Sequence, residues 1–142
     1  KIKIINYLIK NKIPIMGHLG ILPQSTKGKF KSKGKSIKER NELIRDCKIL
    51  EDAGVFSIVL ECVESKLARH ITNLIKIPTI GIGSSNNCDG QILVIDDILG
   101  LTESKMKFVK KYADVKKIIA FGAKKFKKEV KSRKYPSQKH SY

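Results

Sequence analysis

Residues 55–63, Val-Phe-Ser-Ile-Val-Leu-Glu-Cys-Val, form a nearly unbroken apolar run. A strand of that kind is buried on both faces, the condition met in parallel sheets covered by helices. Similar runs recur at 13–17, 77–83 and 92–95, and segments of helical period lie between them. The alternation predicts an α/β fold with parallel strands.

The elements follow in order. Residues 2–10 read as the tail of an amphipathic helix, with Ile5, Leu8 and Ile9 on one face. The strand at 13–17 is expected to end in Gly17-His18-Leu19-Gly20, and a loop containing Gly28 and Gly34 is expected from Leu22 to about Lys35. Ser36-Ile37-Lys38-Glu39 is a capping box that opens a helix to about Ala53. Its inward residues are Leu43, Cys47 and Leu50, and Gly54 closes it in the C′ position. After the strand at 55–63, Val63, Leu67, Ile71 and Leu74 recur at helical spacing. Residues 84–90 are rich in turn formers. Two further helices are predicted, at 104–111 and 114–131, the second capped by Asp114. Its inward face would be Val115, Ile118, Ile119, Gly122, Phe126 and Val130.

Four strand–helix units in 142 residues are about half of a (β/α) barrel, which takes ~250 residues. A small open doubly wound sheet is the alternative, but it needs an edge strand and none is polar enough to serve as one. A half-barrel leaves two open edges and calls for partner sequence. The chain therefore reads as a single partial domain over 1–142, the last four units of a (β/α)8 fold. It starts at Lys1, so the natural N-terminus is expected to lie elsewhere. No apolar run approaches the ~18–20 residues of a membrane span, and Lys3, Lys10 and Lys12 argue against a signal peptide.

The net charge of +17 invites a nucleic-acid-binding reading. However, the 30 basic residues are 26 lysines and 4 arginines, beside 21 isoleucines and 5 alanines. AT-rich codons supply that bias without selection for an anionic partner. Arginine is what phosphate and base readers enrich, and the aromatic residues do not interleave with the lysines. A basic nucleic-acid-binding module stands as the weaker alternative. Cys47, Cys62 and Cys88 show no CxxC spacing and are expected to be free thiols in a reducing cytoplasm.

Glu61 is a single carboxylate inside the apolar run, with no evident partner in sequence. An ionised group buried alone is costly, and enzymes use that arrangement to make proton acceptors. A surface carboxylate ending a strand is the competing reading. His18 lies between two glycines after a strand, while His70 and His140 read as solvated, and the three show no metal-ligand spacing. Gly81-Ile82-Gly83-Ser84-Ser85 could cradle an anion, although no Lys-Ser/Thr follows it. Asp89, Asp96 and Asp97 read as turn and helix-start residues rather than cation ligands. In a (β/α) barrel the active site lies at the C-terminal ends of the strands. His18, Glu61, Gly83 and Asp96 all hold that position, which suits proton abstraction.

Several motifs in order carry a resemblance. They are Ile13-Pro14-Ile15-Met16-Gly17-His18-Leu19-Gly20, Pro23-Gln24-Ser25, Val59-Leu60-Glu61-Cys62-Val63, Ile77-Pro78-Thr79-Ile80-Gly81-Ile82-Gly83 and Asp89-Gly90-Gln91-Ile92-Leu93-Val94. Phe108-Val109-Lys110-Lys111-Tyr112-Ala113 and the ending Tyr135-Pro136 with His140-Ser141 fit as well. Together the chain resembles the C-terminal half of the ketopantoate hydroxymethyltransferases. The resemblance implies a (β/α) barrel that moves a hydroxymethyl unit from 5,10-methylenetetrahydrofolate to 3-methyl-2-oxobutanoate, giving 2-dehydropantoate on the route to pantothenate and coenzyme A. It implies Glu61 as proton acceptor, His18 in the substrate pocket, and magnesium (Mg2+) held by residues upstream of this chain. It also implies a cytoplasmic homo-oligomer, a decamer, with no membrane or nucleic-acid partner. Two departures stand out: Ser84-Ser85 replaces Ala-Gly, so Ser85 is expected to strain its turn, and Glu64 replaces a proline. An inactive half-barrel fragment is a further alternative.

Overall fold

A computed structural model describes residues 1–22 and 31–142. The centre of the predicted 22–35 loop, with Pro23-Gln24-Ser25 and Gly28, lies outside the described residues. The chain divides into two compact units, Lys1–Ile92 and Leu93–Tyr142.

The first unit holds four strands, β1 (Met16–Gly20), β2 (Ser57–Glu61), β3 (Thr79–Ile82) and β4 (Gly90–Gln91), and three helices, α1 (Ile2–Lys10), α2 (Ile37–Asp52) and α3 (Ser65–Leu74). All pairings are parallel and the spatial order is β1-β2-β3-β4. A doubly wound sheet reverses its strand order at a switch point. Here every crossover advances by one strand, the winding of a (β/α) barrel, and the fold is α/β as predicted.

Strand side chains alternate between the two faces. Ile58 and Leu60 point to the face covered by α2 and α3, where they join Cys47, Leu67, Ala68 and Ile71 in the core. Leu43, Ile44 and Leu50 of α2 and Ile5 and Ile9 of α1 pack around that core. Each fully buried Leu or Ile contributes about 1.5–3 kcal/mol. Gly17 points to the same side, and an added Cβ there would meet Leu50 at 3.0 Å, so the glycine lets α2 lie close on β1. The opposite face carries Met16, His18, Val59, Glu61 and Ile80. On that face Met16 is 46% exposed. In a closed barrel that face is the interior.

Local signals set the boundaries. Ser36 caps α2 and accepts from Glu39 N at 3.2 Å. The Glu39 carboxylate reaches back to Gly34 N and Lys35 N, satisfying two more donors. Gly54, at φ +86°, closes the helix as predicted.

Three expectations need correction here. The first strand is Met16–Gly20 rather than 13–17, because Met16 through Gly20 pair residue by residue with β2. His18 therefore stands within the strand. The last strand is Gly90–Gln91 rather than 92–95: Ile92 N donates to Gly81 O, beyond which the ladder with β3 ends. Ser85 is not strained. It lies outside the left-handed region, and its Oγ accepts from Asn87 N at 3.2 Å in a side-chain turn.

The second unit contains α4 (Ile95–Ile98), α5 (Val115–Lys131) and a 3-10 turn (Gln138–His140). Asp114 caps α5, as predicted. Residues 104–111 do not form the predicted helix and hold only a turn, Val109 N to Met106 O. Eight residues with four lysines are too few to repay helix nucleation without a packed face. The predicted inward face of α5 is not buried either: Ile118 and Phe126 are 67% and 56% exposed.

Candidate active site

The parallel strands bring three chain segments together at their C-terminal ends. Gly20 stands opposite Glu61, and Glu61 opposite Ile82. His18 pairs with Val59, so His18 and Glu61 share a face and lie diagonally across two strands. Nε2 of His18 stands 3.0 Å from Oε2 of Glu61. The Glu61 side chain is 13% exposed and that of His18 36%. The carboxylate that looked solitary in sequence thus has a partner two strand positions off its register mate.

The backbone around Glu61 is closely held. Ile21 N donates to Glu61 O at 2.9 Å. An added Cβ on Gly20, whose φ is +101°, would stand 2.1 Å from that same oxygen, so only glycine lets β1 leave the sheet there. Cys62 N donates to Ile82 O and Cys62 O accepts from Lys33 N, both at 2.9 Å. Cys62 itself lies at φ +52°, a left-handed conformation that costs a non-glycine residue about 1–3 kcal/mol. Burial, followed by the neighbouring Glu61 charge, pushes its thiol pKa up. Ser84 Oγ accepts from Val63 N at 3.0 Å and donates to Leu60 O at 2.6 Å, spanning the turn.

The 81–85 loop follows β3 at the same end of the sheet, since Ile82 stands opposite Glu61. In that loop Ser85 Oγ accepts from Asn87 N, and Ser85 O accepts from Gln91 Nε2 at 2.7 Å. Asp89 accepts from Thr79 N at 2.8 Å, at the start of β3 and so at the opposite end of the sheet from Glu61. Asp96 and Asp97 occupy the first turn of α4 in the second unit, where Asp97 accepts from the Thr102 hydroxyl. His70 is exposed, and His140 contacts Ser137 Oγ at 2.8 Å. Cys47, Cys62 and Cys88 are buried free thiols, with burial pushing Cys47 up to about 12. Among the described residues no group of three or more His, Cys, Asp or Glu could hold a metal ion.

Ser84 and the Cys62 conformation escaped the sequence. A serine next to a glycine turn carries no signal of which distant strand it will bridge. The residue after a strand-end glutamate gives no hint of φ either.

The family model described as ketopantoate hydroxymethyltransferase matches residues 1–138. A relative from Pelagibacter ubique (strain HTCC1062), named 3-methyl-2-oxobutanoate hydroxymethyltransferase, is 62% identical over 141 residues, covering 99% of this chain and 54% of the relative. Proteins of the same name from Clostridium botulinum (strain Langeland / NCTC 10281 / Type F) and Carboxydothermus hydrogenoformans are 48% and 49% identical. They are matched over 97% and 95% of this chain, and over 51% and 50% of their own length. The chain spans about half the length of these curated relatives. On these matches, together with the sequentially wound parallel sheet, the chain belongs to the ketopantoate hydroxymethyltransferase family.

Proposed function

We propose that a full-length protein containing this chain transfers a hydroxymethyl group from 5,10-methylenetetrahydrofolate to 3-methyl-2-oxobutanoate, with Glu61 as the proton acceptor. Residues 1–142 supply the C-terminal half of its (β/α) barrel domain. The observation that carries the reading is the Glu61–His18 contact at the C-terminal end of β2, on the face of the sheet opposite α2 and α3.

The chemistry follows from that placement. Hydroxymethylation at the carbon beside a carbonyl begins with removal of its proton, and the C–H electron pair passes into an enolate. A general base must lie within hydrogen-bond reach of that proton in a fixed direction. His18, donating through Nε2, would hold Oε2 and leave Oε1 to receive it. The enolate carbon would then bond to the one-carbon unit as the C–N bonds joining that unit to the folate break. Water would supply the hydroxyl oxygen. The folate nitrogens would take up one proton from that water and the one removed from the keto acid, so that tetrahydrofolate leaves. Magnesium and the folate would be held by parts of the protein outside these residues, and the same reading carries a cytoplasmic homo-oligomer. No helix among the described residues is long and apolar enough to cross a membrane.

In the full-length protein, Glu61→Gln is expected to lower exchange of the C3 proton of 3-methyl-2-oxobutanoate by about 10²–10⁴-fold, measured by NMR in heavy water. The fold should persist, because the amide keeps the shape of the side chain. Near-normal exchange would overturn the assignment.

A further inference from the structure

We infer that the left-handed backbone of Cys62 aims Glu61, which makes Cys62 a positioning residue, an assignment that rests on the proposed role of Glu61 as base. Three non-glycine residues among those described have a positive φ: Lys12, Cys62 and Arg133. Lys12 and Arg133 are exposed and stand just past the ends of α1 and α5, where a left-handed residue commonly closes a helix. Cys62 closes no helix. It is 7% exposed and follows directly on Glu61, the last residue of β2. A conformation that disfavours a side chain persists only where the surrounding structure imposes it, and such residues gather at functional sites.

Hydrogen bonds on both sides of the residue impose it. In the peptide plane that joins Glu61 to Cys62, Glu61 O accepts from Ile21 N and Cys62 N donates to Ile82 O, each at 2.9 Å. In the next plane Cys62 O accepts from Lys33 N at 2.9 Å, and Lys33 O in turn accepts from Glu64 N at 2.8 Å. A peptide group is rigid, so the angles at Cys62 are the only soft rotations between the two planes. The second plane carries the Cα of Val63, whose side chain is buried in the core. The first carries the Cα of Glu61, at the rim of the sheet. A residue at 62 that resists positive φ therefore strains both planes, and the one not anchored in the core gives more. Its tilt would swing the carboxylate away from His18 Nε2, which stands 3.0 Å off. Displacement of a reacting group by about 1 Å is enough to cost ~10²-fold in rate. Glycine takes positive φ without strain, whereas a side chain branched at Cβ takes it least readily. Activity should thus follow the backbone preference of residue 62 and not its sulfur.

The test uses the full-length protein and reads C3-proton exchange of 3-methyl-2-oxobutanoate. Cys62→Val is expected to lower kcat for exchange about 10-fold, with KM changed less than about 2-fold, because the substrate's own contacts are not touched. Cys62→Gly removes the whole side chain yet accepts the turn, and is expected to keep at least half of the rate. Lys33→Pro removes the N–H that holds Cys62 O. It is expected to lower kcat about 3-fold relative to Lys33→Ala, which keeps that N–H. This comparison provides the reading if Cys62→Val does not fold. A purely structural role would lower the melting temperatures of Cys62→Val and Lys33→Pro yet leave kcat unchanged well below them, and that result overturns the inference. So does a folded Cys62→Gly variant that loses exchange, because the side chain rather than the turn would then be required. Glu61→Gln measured alongside separates the two proposals. Lost exchange in Glu61→Gln with normal kcat in Cys62→Val and Lys33→Pro removes Cys62 alone. Normal exchange in Glu61→Gln removes the base, and Cys62 with it.

Discussion

Helices α3 and α5 carry the same signal in sequence, apolar residues recurring at helical spacing, and they end in different environments. In α3, Leu67, Ala68 and Ile71 are buried against β2 and α2, whereas no residue of α5 is buried. Periodicity states which side of a helix is apolar. It does not state whether the covering surface belongs to the same stretch of chain. For α3 the cover is the sheet, two strands of which flank the helix in sequence. In α5 no residue is buried.

Point substitutions would sharpen the contrast most. In residues 1–142, Leu67→Ala is expected to lower stability by about 2–5 kcal/mol, from lost burial and the cavity left behind. Ile118→Ala, on the exposed face of α5, is expected to stay within about 0.5 kcal/mol. Urea unfolding followed by circular dichroism measures both. A loss at Ile118 equal to that at Leu67 would break the distinction, because it would mean that α5 is covered in solution.

The same division explains what could be read in advance. The capping box at Ser36, Gly54 after α2 and the Asp114 cap were legible because each is local, decided within four residues. The strand bearing Glu61 was legible because a doubly covered strand is apolar throughout. His18 stands within β1 rather than after it because the end of a strand is set by its neighbour. Gly17-His18-Leu19-Gly20 looks like a turn, yet β2 pairs with all four residues. The Glu61–His18 contact needed that register, and so could not be read from either segment alone. Ser84 needed a contact across 24 residues to Leu60. Residues 104–111 form no helix and the apolar face of α5 is not buried, because an apolar pattern without its partner surface is not yet a packed element.

Two glycines extend the comparison at a smaller scale. Gly20 is required by its surroundings, with φ +101° and the Glu61 carbonyl where a Cβ would stand. Gly20→Ala is expected to cost about 1–3 kcal/mol. Gly122 lies within α5, and a Cβ there would meet nothing within 4 Å. Gly122→Ala is therefore expected to add about 0.5–1 kcal/mol by removing backbone freedom from the unfolded chain. Thermal melts of the two variants should move in opposite directions. A destabilising Gly122→Ala would show that something packs against α5 there.

The smallest effects concern the two carboxylate caps. Glu64 caps α3, accepting from Lys66 N at 3.1 Å and Leu67 N at 3.0 Å, and its Oε2 also meets Arg40 at 3.3 Å. The Lys66 amide foremost, with the Leu67 amide and the Arg40 charge, holds its pKa below the usual carboxylate value against the opposing effect of burial. Asp114 is held low mainly by its hydrogen bond to the Lys117 ammonium, on an exposed surface. A depressed folded-state pKa stabilises above the unfolded value, about 4.3 for Glu, and the contribution is lost as pH falls through the folded value. Glu64→Gln is therefore expected to cost about 0.5–1 kcal/mol at pH 7, the difference from the parent chain shrinking as acid protonates Glu64 in the parent. Asp114→Asn should cost less at pH 7, and salt near ~1 M should remove most of that cost because the Lys117 contact is screened. Salt should alter the Glu64 effect less, since two of its three partners are backbone amides. Denaturant titrations at low and high salt across that pH range would test the pair. Equal salt sensitivity at the two caps would mean that Glu64, too, is only a surface charge.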